Sequence, residues 1–248
     1  FREALHEMDR RVRHSAHLEL SESPDDRIRL TDLAIASGAG TVLAHPAEIV
    51  LEPGERVAVL ARHGAGKTLF FRAISGLWPW GSGRIERPNG GRMMFLPQRA
   101  YVPPGSLRDS VSYPSPASAW KDAEVRAAMQ AVGLERLIPS LDRQERWDRQ
   151  MSENEKQLLG FARLLLHRPK WAVIDDVLDR LDPESRRRVL ALLDGPLARM
   201  GVVLIGSTPP EGEGFDRRLQ LVMQPAETAP AERESPAGVG PPAPLAPT

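Results

Sequence analysis

The chain has 248 residues, of which 41% are hydrophobic and 27% charged, so it is long enough and apolar enough to bury a substantial core. Its 33 basic and 33 acidic residues balance, which gives no indication of a nucleic-acid or anionic-lipid partner. The lack of cysteine excludes disulfide bonds and thiolate metal sites. No apolar run approaches the roughly 20 residues of a membrane-spanning helix.

Residues 1–27 are polar and charged, and they are predicted to form a connecting segment. Within them, Phe1, Leu5, Met8 and Val12 recur at a spacing that places them on one face of an amphipathic helix. This helix would either pack on its own domain or form the end of a connection from a preceding domain. Because the chain begins at Phe1 rather than at methionine, we expect it to be part of a longer protein.

From residue 28 onward, strand and helix patterns alternate along the chain. Strands are predicted at residues 28–36, 41–51, 56–60, 92–98, 170–175, 202–206 and 217–223, and helices at 68–76, 120–138, 154–167 and 183–194. The later strands are almost continuously apolar, which is typical of parallel strands buried on both faces. The pattern predicts an α/β domain over residues 28–223 with a parallel sheet at its centre. A disordered tail rich in proline and alanine is predicted at 224–248.

The first motif that carries chemistry is ARHGAGKT at residues 61–68, between an apolar strand and the start of a helix. In a phosphate-binding loop of this kind, backbone N–H groups surround the phosphates, the lysine reaches the terminal ones, and the threonine hydroxyl ligates Mg²⁺. The usual pattern G-x-x-x-x-G-K-[ST] is broken at its first position, where Ala61 stands. The alternative interpretation is a strand-to-helix turn that merely requires glycine.

A second motif, WAVIDD, ends a buried strand in two carboxylates, Asp175 and Asp176. A phosphate-binding loop requires an acid at the end of a neighbouring strand to hold Mg²⁺, and this strand supplies one. The alternative is that polar residues simply begin where a strand ends. The combination with Lys67 and Thr68 upstream favours the functional interpretation. Four of the five tryptophans are predicted to be core or interface residues rather than platforms for a base: Trp78, Trp80, Trp147 and Trp171.

Together with further stretches of the chain, these motifs resemble the nucleotide-binding domain of ATP-binding cassette (ABC) transporters. The stretches LWPWGSGRI, FLPQRAYVPPGSLRDSV, MSENEKQLLGFARLLLHRPKW and AVIDDVLDRLD occur in the family's order, and the resemblance covers about residues 28–223. The first two are most similar to peroxisomal fatty-acyl half-transporters and their bacterial relatives, in which a membrane domain precedes the cassette. The resemblance implies an α/β fold of the P-loop NTPase type, with a parallel-sheet core, an antiparallel β subdomain and a helical subdomain.

The resemblance also implies ATP and Mg²⁺ as cofactors and assigns them to individual residues. Gln98 would sense Mg²⁺ and the attacking water, and Asp176 would act as base or orient that water. Ser207 occupies the position of the family's switch histidine, and Ser152 would contact the γ-phosphate bound by a second cassette. The metal ligands would be Thr68, Gln98 and Asp175. The phosphate-binding loop would comprise Ala61, Arg62, His63, Gly64, Ala65, Gly66, Lys67 and Thr68.

Several positions depart from the family pattern, and they fall where catalysis would occur. Asp176 replaces the usual glutamate, and its carboxylate is expected to sit back from the glutamate's position because it is one methylene shorter. Ser207 lacks the charge and reach of histidine. In the signature stretch, Glu153 and Asn154 occupy positions of small residues, and Glu153 brings negative charge toward an anion. The letters SENE also match a capping box, in which Ser152 would only start a helix.

Two functions fit these observations. The first is the ATPase domain of an ABC transporter, slow but competent, at the cytoplasmic face of the cell membrane. It would act with a membrane domain, fused upstream or separate, and with a second nucleotide-binding domain, identical or different. The second is a degenerate cassette that binds ATP, hydrolyses little or none and serves as a regulatory or structural partner. A cassette-derived regulatory module outside transport is a third interpretation, and no nucleic-acid partner is expected.

Overall fold

The computed structural model describes residues 17–37, 40–45, 47–62, 64, 66–89, 91–207 and 214–225. The predicted N-terminal amphipathic helix and nearly all of the predicted tail lie outside these residues. The strands are β1 (Glu19–Glu22), β2 (Ile28–Ser37), β3 (Gly40–His45), β4 (Glu48–Leu51), β5 (Arg56–Leu60), β6 (Gly81–Arg87), β7 (Met93–Leu96), β8 (Gly105–Ser106), β9 (Gln144–Glu145), β10 (Trp171–Asp175), β11 (Gly201–Gly206) and β12 (Arg217–Pro225). The helices are α1 (Lys67–Ser75), α2 (Leu107–Ser112), α3 (Asp122–Val132), α4 (Trp147–Gln150), α5 (Glu153–His167) and α6 (Pro183–Asp194).

Ten of these strands form one mixed sheet, and β8 and β9 form a separate pair. The large sheet has the order β1-β6-β2-β3-β12-β5-β11-β10-β7, with β4 paired to β2. Strands β12, β5, β11, β10 and β7 are parallel, whereas β2 is antiparallel to β3, β4 and β6. Strand β12 joins the two parts, because it is antiparallel to β3 and parallel to β5. This arrangement confirms the predicted parallel core and antiparallel β subdomain.

Two hydrophobic clusters hold these elements together. One lies in the helical part and includes Met129 of α3 and Phe161 of α5, both with no exposed surface. The other lies between α1 and the sheet and includes Phe70 and Trp171. Trp147 and Trp171 are 5% and 0% exposed, which confirms them as core residues. None of the helices in the described ranges combines the length and apolar character that crossing a membrane requires.

Some boundaries differ from those predicted. The strand predicted at 41–51 is divided into β3 and β4, which pair with different parts of β2. The helix predicted at 120–138 ends at Val132, because Gly133 adopts a left-handed φ of 88° and caps it. Strand β1 was not predicted; it pairs in parallel with β6 and lies before the domain boundary that the sequence places at residue 28.

Candidate functional site

The carboxyl ends of four parallel strands meet at one edge of the sheet and carry most of the predicted site residues. Strand β5 leads into the loop 61–68, β11 is followed by Ser207, β10 ends at Asp175, and β7 ends shortly before Gln98. The strands are neighbours in the order β5-β11-β10-β7. Because they run in the same direction, the segments that follow them come together at this edge, where ligands bind in open α/β sheets.

The loop 61–68 has the backbone that a tight strand-to-helix turn requires. Gly64 and Gly66 have left-handed φ angles of 79° and 87°, and a Cβ at Gly66 would lie 2.2 Å from a methyl carbon of Val42. Ala61 is buried, and its N–H donates to the carbonyl of Gly206. Ala61 is not one of the described non-glycine residues with a positive φ angle. The replacement of the first glycine therefore causes no backbone strain.

The remaining loop residues are placed as follows. Arg62 is exposed at the start of the loop, and Thr68 is exposed as the second residue of α1. His63 and Ala65 lie outside the described residues.

Lys67 lies at the centre of the site. Its Nζ donates to Oδ2 of Asp176 at 2.7 Å and to Oγ of Ser207 at 2.5 Å. The amide nitrogen of Gln98 lies 3.5 Å from the same oxygen of Asp176. The side chains of Lys67 and Asp176 are only 10% and 18% exposed, so their attraction is partly shielded from water. The structure thus brings four predicted residues together: Lys67, Gln98, Asp176 and Ser207.

Asp176 has an unusual backbone conformation. Its φ is 55°, in the left-handed region, and its N–H donates to Ile205 at 2.9 Å. Aspartate and asparagine adopt this region more readily than other side chains do, so a short acid suits the position. The carboxylate reaches Lys67 and approaches Gln98. Its shorter length therefore does not keep it out of the site.

Asp175 is the buried acid of the pair. It is 4% exposed; burial raises its pKa from 3.8 to about 6, the negative charge of Asp176 adds to the rise, and Lys67 opposes it. Within the described residues no group of three or more histidine, cysteine or carboxylate side chains is placed to hold a metal. A metal at this edge would therefore need other oxygen donors. The hydroxyl of Thr68, the amide oxygen of Gln98 and the carboxylate of Asp175 are of the type that Mg²⁺ prefers, and they fit such an ion together with phosphate oxygens.

Ser152 begins α5, and its hydrogen bonds form a capping box. Its Oγ accepts from the N–H of Glu155 at 3.2 Å, and its own N–H donates to the carboxylate of Glu155 at 2.9 Å. Glu153 points outward with 77% of its side chain exposed and pairs with Lys156 at 2.7 Å. This ion pair lowers the pKa of Glu153. The helix-capping interpretation of SENE is confirmed, and the contact of Ser152 with a second cassette stays a prediction.

Asn154 has a structural contact that the sequence did not reveal. Its Nδ2 donates to Oγ of Ser185 at 3.0 Å, and its Oδ1 accepts from the N–H of Asp182 at 3.2 Å. Asp182 is the N-cap of α6. The side chain thus fastens the first turn of α5 to the start of α6, which follows the strand that carries Asp175.

Gln157 is a residue that the sequence analysis did not single out. It is 4% exposed, and its side-chain amide donates to the backbone carbonyl of Gln98 at 2.7 Å. The signal available in the sequence was a glutamine among the apolar residues of a predicted helix. That signal did not identify the partner, because the two glutamines are 59 residues apart.

Comparison with known proteins agrees with this geometry. A sequence profile of the ABC transporter family matches residues 44–179, more than half of the chain. An ABC transporter ATP-binding protein of Haemophilus influenzae is 30% identical over 196 residues, which cover 79% of this chain and 33% of that protein. ABC transporter D family member 1 of Arabidopsis thaliana is 28% identical over 180 residues, covering 66% of this chain and 13% of the plant protein.

Human ATP-binding cassette sub-family D member 3 is 31% identical over 164 residues, covering 61% of this chain and 24% of the human protein. The chain spans a third or less of the length of these three relatives. The fold, the residues at the four strand ends and the profile match lead to one conclusion: the chain belongs to the ABC transporter family, as an ATP-binding domain.

Proposed function

We propose that the chain binds Mg-ATP at the edge formed by β5, β11, β10 and β7 and couples binding and slow hydrolysis to substrate movement by a membrane domain. The observation that carries the proposal is the meeting of Lys67, Asp176, Ser207 and Gln98 beside the loop 61–68. A glycine-rich loop at a helix start, with an ammonium and two carboxylates beside it, is the chemistry that a nucleoside triphosphate with its metal ion requires.

In this proposal each group has a separate task. Backbone N–H groups of the loop and the ammonium of Lys67 hold the phosphates, which the positive end of α1 also favours. Thr68, Gln98 and Asp175 would hold the metal, which would supply positive charge to neutralise the phosphates. Asp176 would orient the attacking water.

Slow hydrolysis follows from the groups that are present. The carboxylate of Asp176 is one methylene shorter than that of glutamate, and one of its oxygens already accepts a hydrogen bond from Lys67. Ser207 cannot carry the positive charge of a histidine. General-base catalysis contributes typically about 10²–10⁴-fold, and we propose that a large part of this factor is lost here.

A degenerate cassette that binds ATP without useful hydrolysis is the second candidate. The observation that favours it is the start of α5, where Ser152 is bonded to Glu155 and Glu153 to Lys156. The polar groups of the signature stretch are thus satisfied within the chain, and a negative charge stands beside them. A cassette of this kind would serve as a regulatory or structural partner of a competent one.

The partners follow from the family rather than from the described residues. We propose a second nucleotide-binding domain, identical or different, with which the chain would enclose ATP, and a membrane domain, fused upstream or separate. The relatives named as transporter ATP-binding proteins support this assignment. The corresponding location is the cytoplasmic face of the cell membrane.

Isothermal titration calorimetry with Mg-ATP tests the proposal. Wild type should bind, Lys67→Ala should bind at least about 100-fold more weakly because it loses a charged phosphate contact, and the exposed Lys170→Ala should bind as wild type does. Equal affinities of wild type and Lys67→Ala would overturn the proposal. An ATPase rate equal to that of ordinary transporters, abolished by Asp176→Ala, would overturn slow hydrolysis and leave ATP binding intact.

A further inference from the structure

Gln157 is a buried polar residue to which the proposed function assigns no task. It lies in α5, one turn beyond the first, next to the core residues Leu158 and Leu159. Buried side-chain amides are found where they have hydrogen-bond partners. The partner of Gln157 is the backbone carbonyl of Gln98, at 2.7 Å.

The carbonyl that Gln157 contacts belongs to Gln98, whose side chain approaches Asp176. The amide of Gln98 lies 3.5 Å from Oδ2 of Asp176, and the same oxygen accepts from Lys67 at 2.7 Å. Gln157 therefore contacts a residue that itself lies beside the groups proposed to hold phosphate and metal. Its hydrogen bond restrains the Gln98 peptide, and the peptide determines where the Gln98 side chain can reach.

Helix α5 provides a fixed base for this contact. Its first turn is fastened by Asn154 to Asp182 and Ser185 at the start of α6. Its capping residue Glu155 forms an ion pair with Arg136. The position of Gln157 is thus set relative to the segment that follows Asp176, and Asp176 is the residue that the Gln98 side chain approaches.

We propose that Gln157 is a positioning residue that orients Gln98 toward Mg²⁺ by holding its backbone carbonyl. This inference rests on the proposed function, in which Gln98 is a ligand of nucleotide-bound Mg²⁺. The role requires an N–H donor of this length. The substitution Gln157→Met keeps a similar side-chain length and removes the donor. The substitution Gln157→Glu would place a second acceptor against the carbonyl oxygen of Gln98. Loss of a group that orients a metal ligand typically weakens metal affinity about 10–100-fold.

The experiment uses Mn²⁺ in place of Mg²⁺, because bound and free Mn²⁺ are distinguished by electron paramagnetic resonance. Each protein is saturated with ATP and titrated with Mn²⁺, and ATP binding in EDTA is measured separately by calorimetry. Gln157→Met should weaken Mn²⁺ affinity about tenfold and leave metal-free ATP affinity unchanged within twofold. Gln98→Met should do the same, and the double variant should be no weaker than Gln98→Met alone. The control is Gln130→Met, at an exposed glutamine of α3.

Additive losses in the double variant, or Mn²⁺ affinity of Gln157→Met equal to that of wild type, would overturn the inference alone. A loss of metal-free ATP binding in Gln157→Met, with circular dichroism unchanged, would also overturn it, because the residue would then act on the nucleotide. If Gln157→Met fails to fold, Gln157→Glu provides the same comparison. Absence of ATP binding by wild type would overturn the proposed function and this inference with it.

Discussion

At the scale of single residues, the contact between Lys67 and Asp176 decides how the site can work. The ammonium already has a carboxylate and a hydroxyl as partners, so a phosphate must compete with Asp176 for it. The left-handed backbone at Asp176 suits a short acid, and the carboxylate of this acid contacts Lys67. We therefore expect the aspartate at position 176, which the sequence alone interprets as a loss of catalysis, to affect nucleotide binding as well.

Asp176→Asn is expected to bind ATP about tenfold more tightly than wild type in EDTA, because the amide removes the competing negative charge and keeps the shape. Titration with a fluorescent ATP analogue measures the two dissociation constants. Ser207→Ala removes a neutral partner of Lys67 and should change the constant by less than about threefold. Weaker binding by Asp176→Asn would contradict the competition between carboxylate and phosphate.

A second titratable residue, His167, lies at the end of α5. Its Nε2–H donates to the carbonyl of Ser112 at 2.9 Å, and its ring contacts Trp120 edge-to-face. Burial lowers the pKa of His167 below 6.5, and the hydrogen bonds to carbonyl groups oppose this change. The unfolded chain therefore binds more protons than the folded one just below pH 6.5, and the contribution of His167 to stability is lost as pH falls through that range.

We accordingly expect the unfolding free energy of His167→Gln to fall less than that of wild type between pH 7.5 and pH 5. Urea unfolding followed by circular dichroism at both pH values measures the difference. Equal pH dependence in the two proteins would show that His167 does not titrate differently on folding.

At the scale of elements, the start of α5 is joined to the start of α6. The capping box satisfies its backbone groups, and Asn154 ties it to α6. The small residue that the family has at this position cannot make these two hydrogen bonds. The exchange therefore adds a contact within the chain at a place where the proposed partner cassette would approach.

Asn154→Ala should lower the unfolding free energy by about 1–3 kcal/mol, because two hydrogen bonds are lost and the N–H of Asp182 loses its partner. Asn154→Gly should lower the unfolding free energy by roughly 1 kcal/mol more than Asn154→Ala, because glycine is less favourable than alanine in a helix by about this amount. Urea unfolding measures both, with the exposed Asn89→Ala as control. An unfolding free energy of Asn154→Ala within 0.3 kcal/mol of wild type, a margin typical of additive surface effects, would refute the fastening role.

At the scale of the whole molecule, the proposed partner cassette makes Glu153 the residue of interest. In that arrangement its charge would face the phosphates bound by the other copy, and like charges repel. Glu184 provides a matched comparison, since both glutamates lie in the first turn of a helix and both side chains are 77% exposed.

Glu153→Gln is expected to strengthen ATP-dependent dimerisation about tenfold, the effect of removing roughly 1.4 kcal/mol of repulsion. Glu184→Gln should leave dimerisation unchanged. Sedimentation velocity in Mg-ATP over a range of protein concentrations gives the dimerisation constants. Equal constants for the two variants would mean that Glu153 does not approach the phosphates of a partner.

The sequence by itself determined the glycine-rich loop between β5 and α1, the acid-terminated strand and the alternation of strands and helices. These features depend on contiguous residues, whose spacing and polarity are visible in the letters. It also predicted α5 and its cap within one residue, because SENE is a local motif. Strand β1 was missed, since its four residues are exposed and no local pattern marks them.

Only the tertiary structure decided which residues from distant parts of the chain lie in contact. Asp176 reaches Lys67 across 109 positions of sequence, and Gln157 reaches Gln98 across 59. Such contacts depend on the order of parallel strands and on the packing of α5 against the sheet, neither of which is a property of a short stretch. The physical reason is that side-chain hydrogen bonds require donor and acceptor atoms within about 3 Å of each other. They can therefore form only when packing of the hydrophobic core has brought distant segments together.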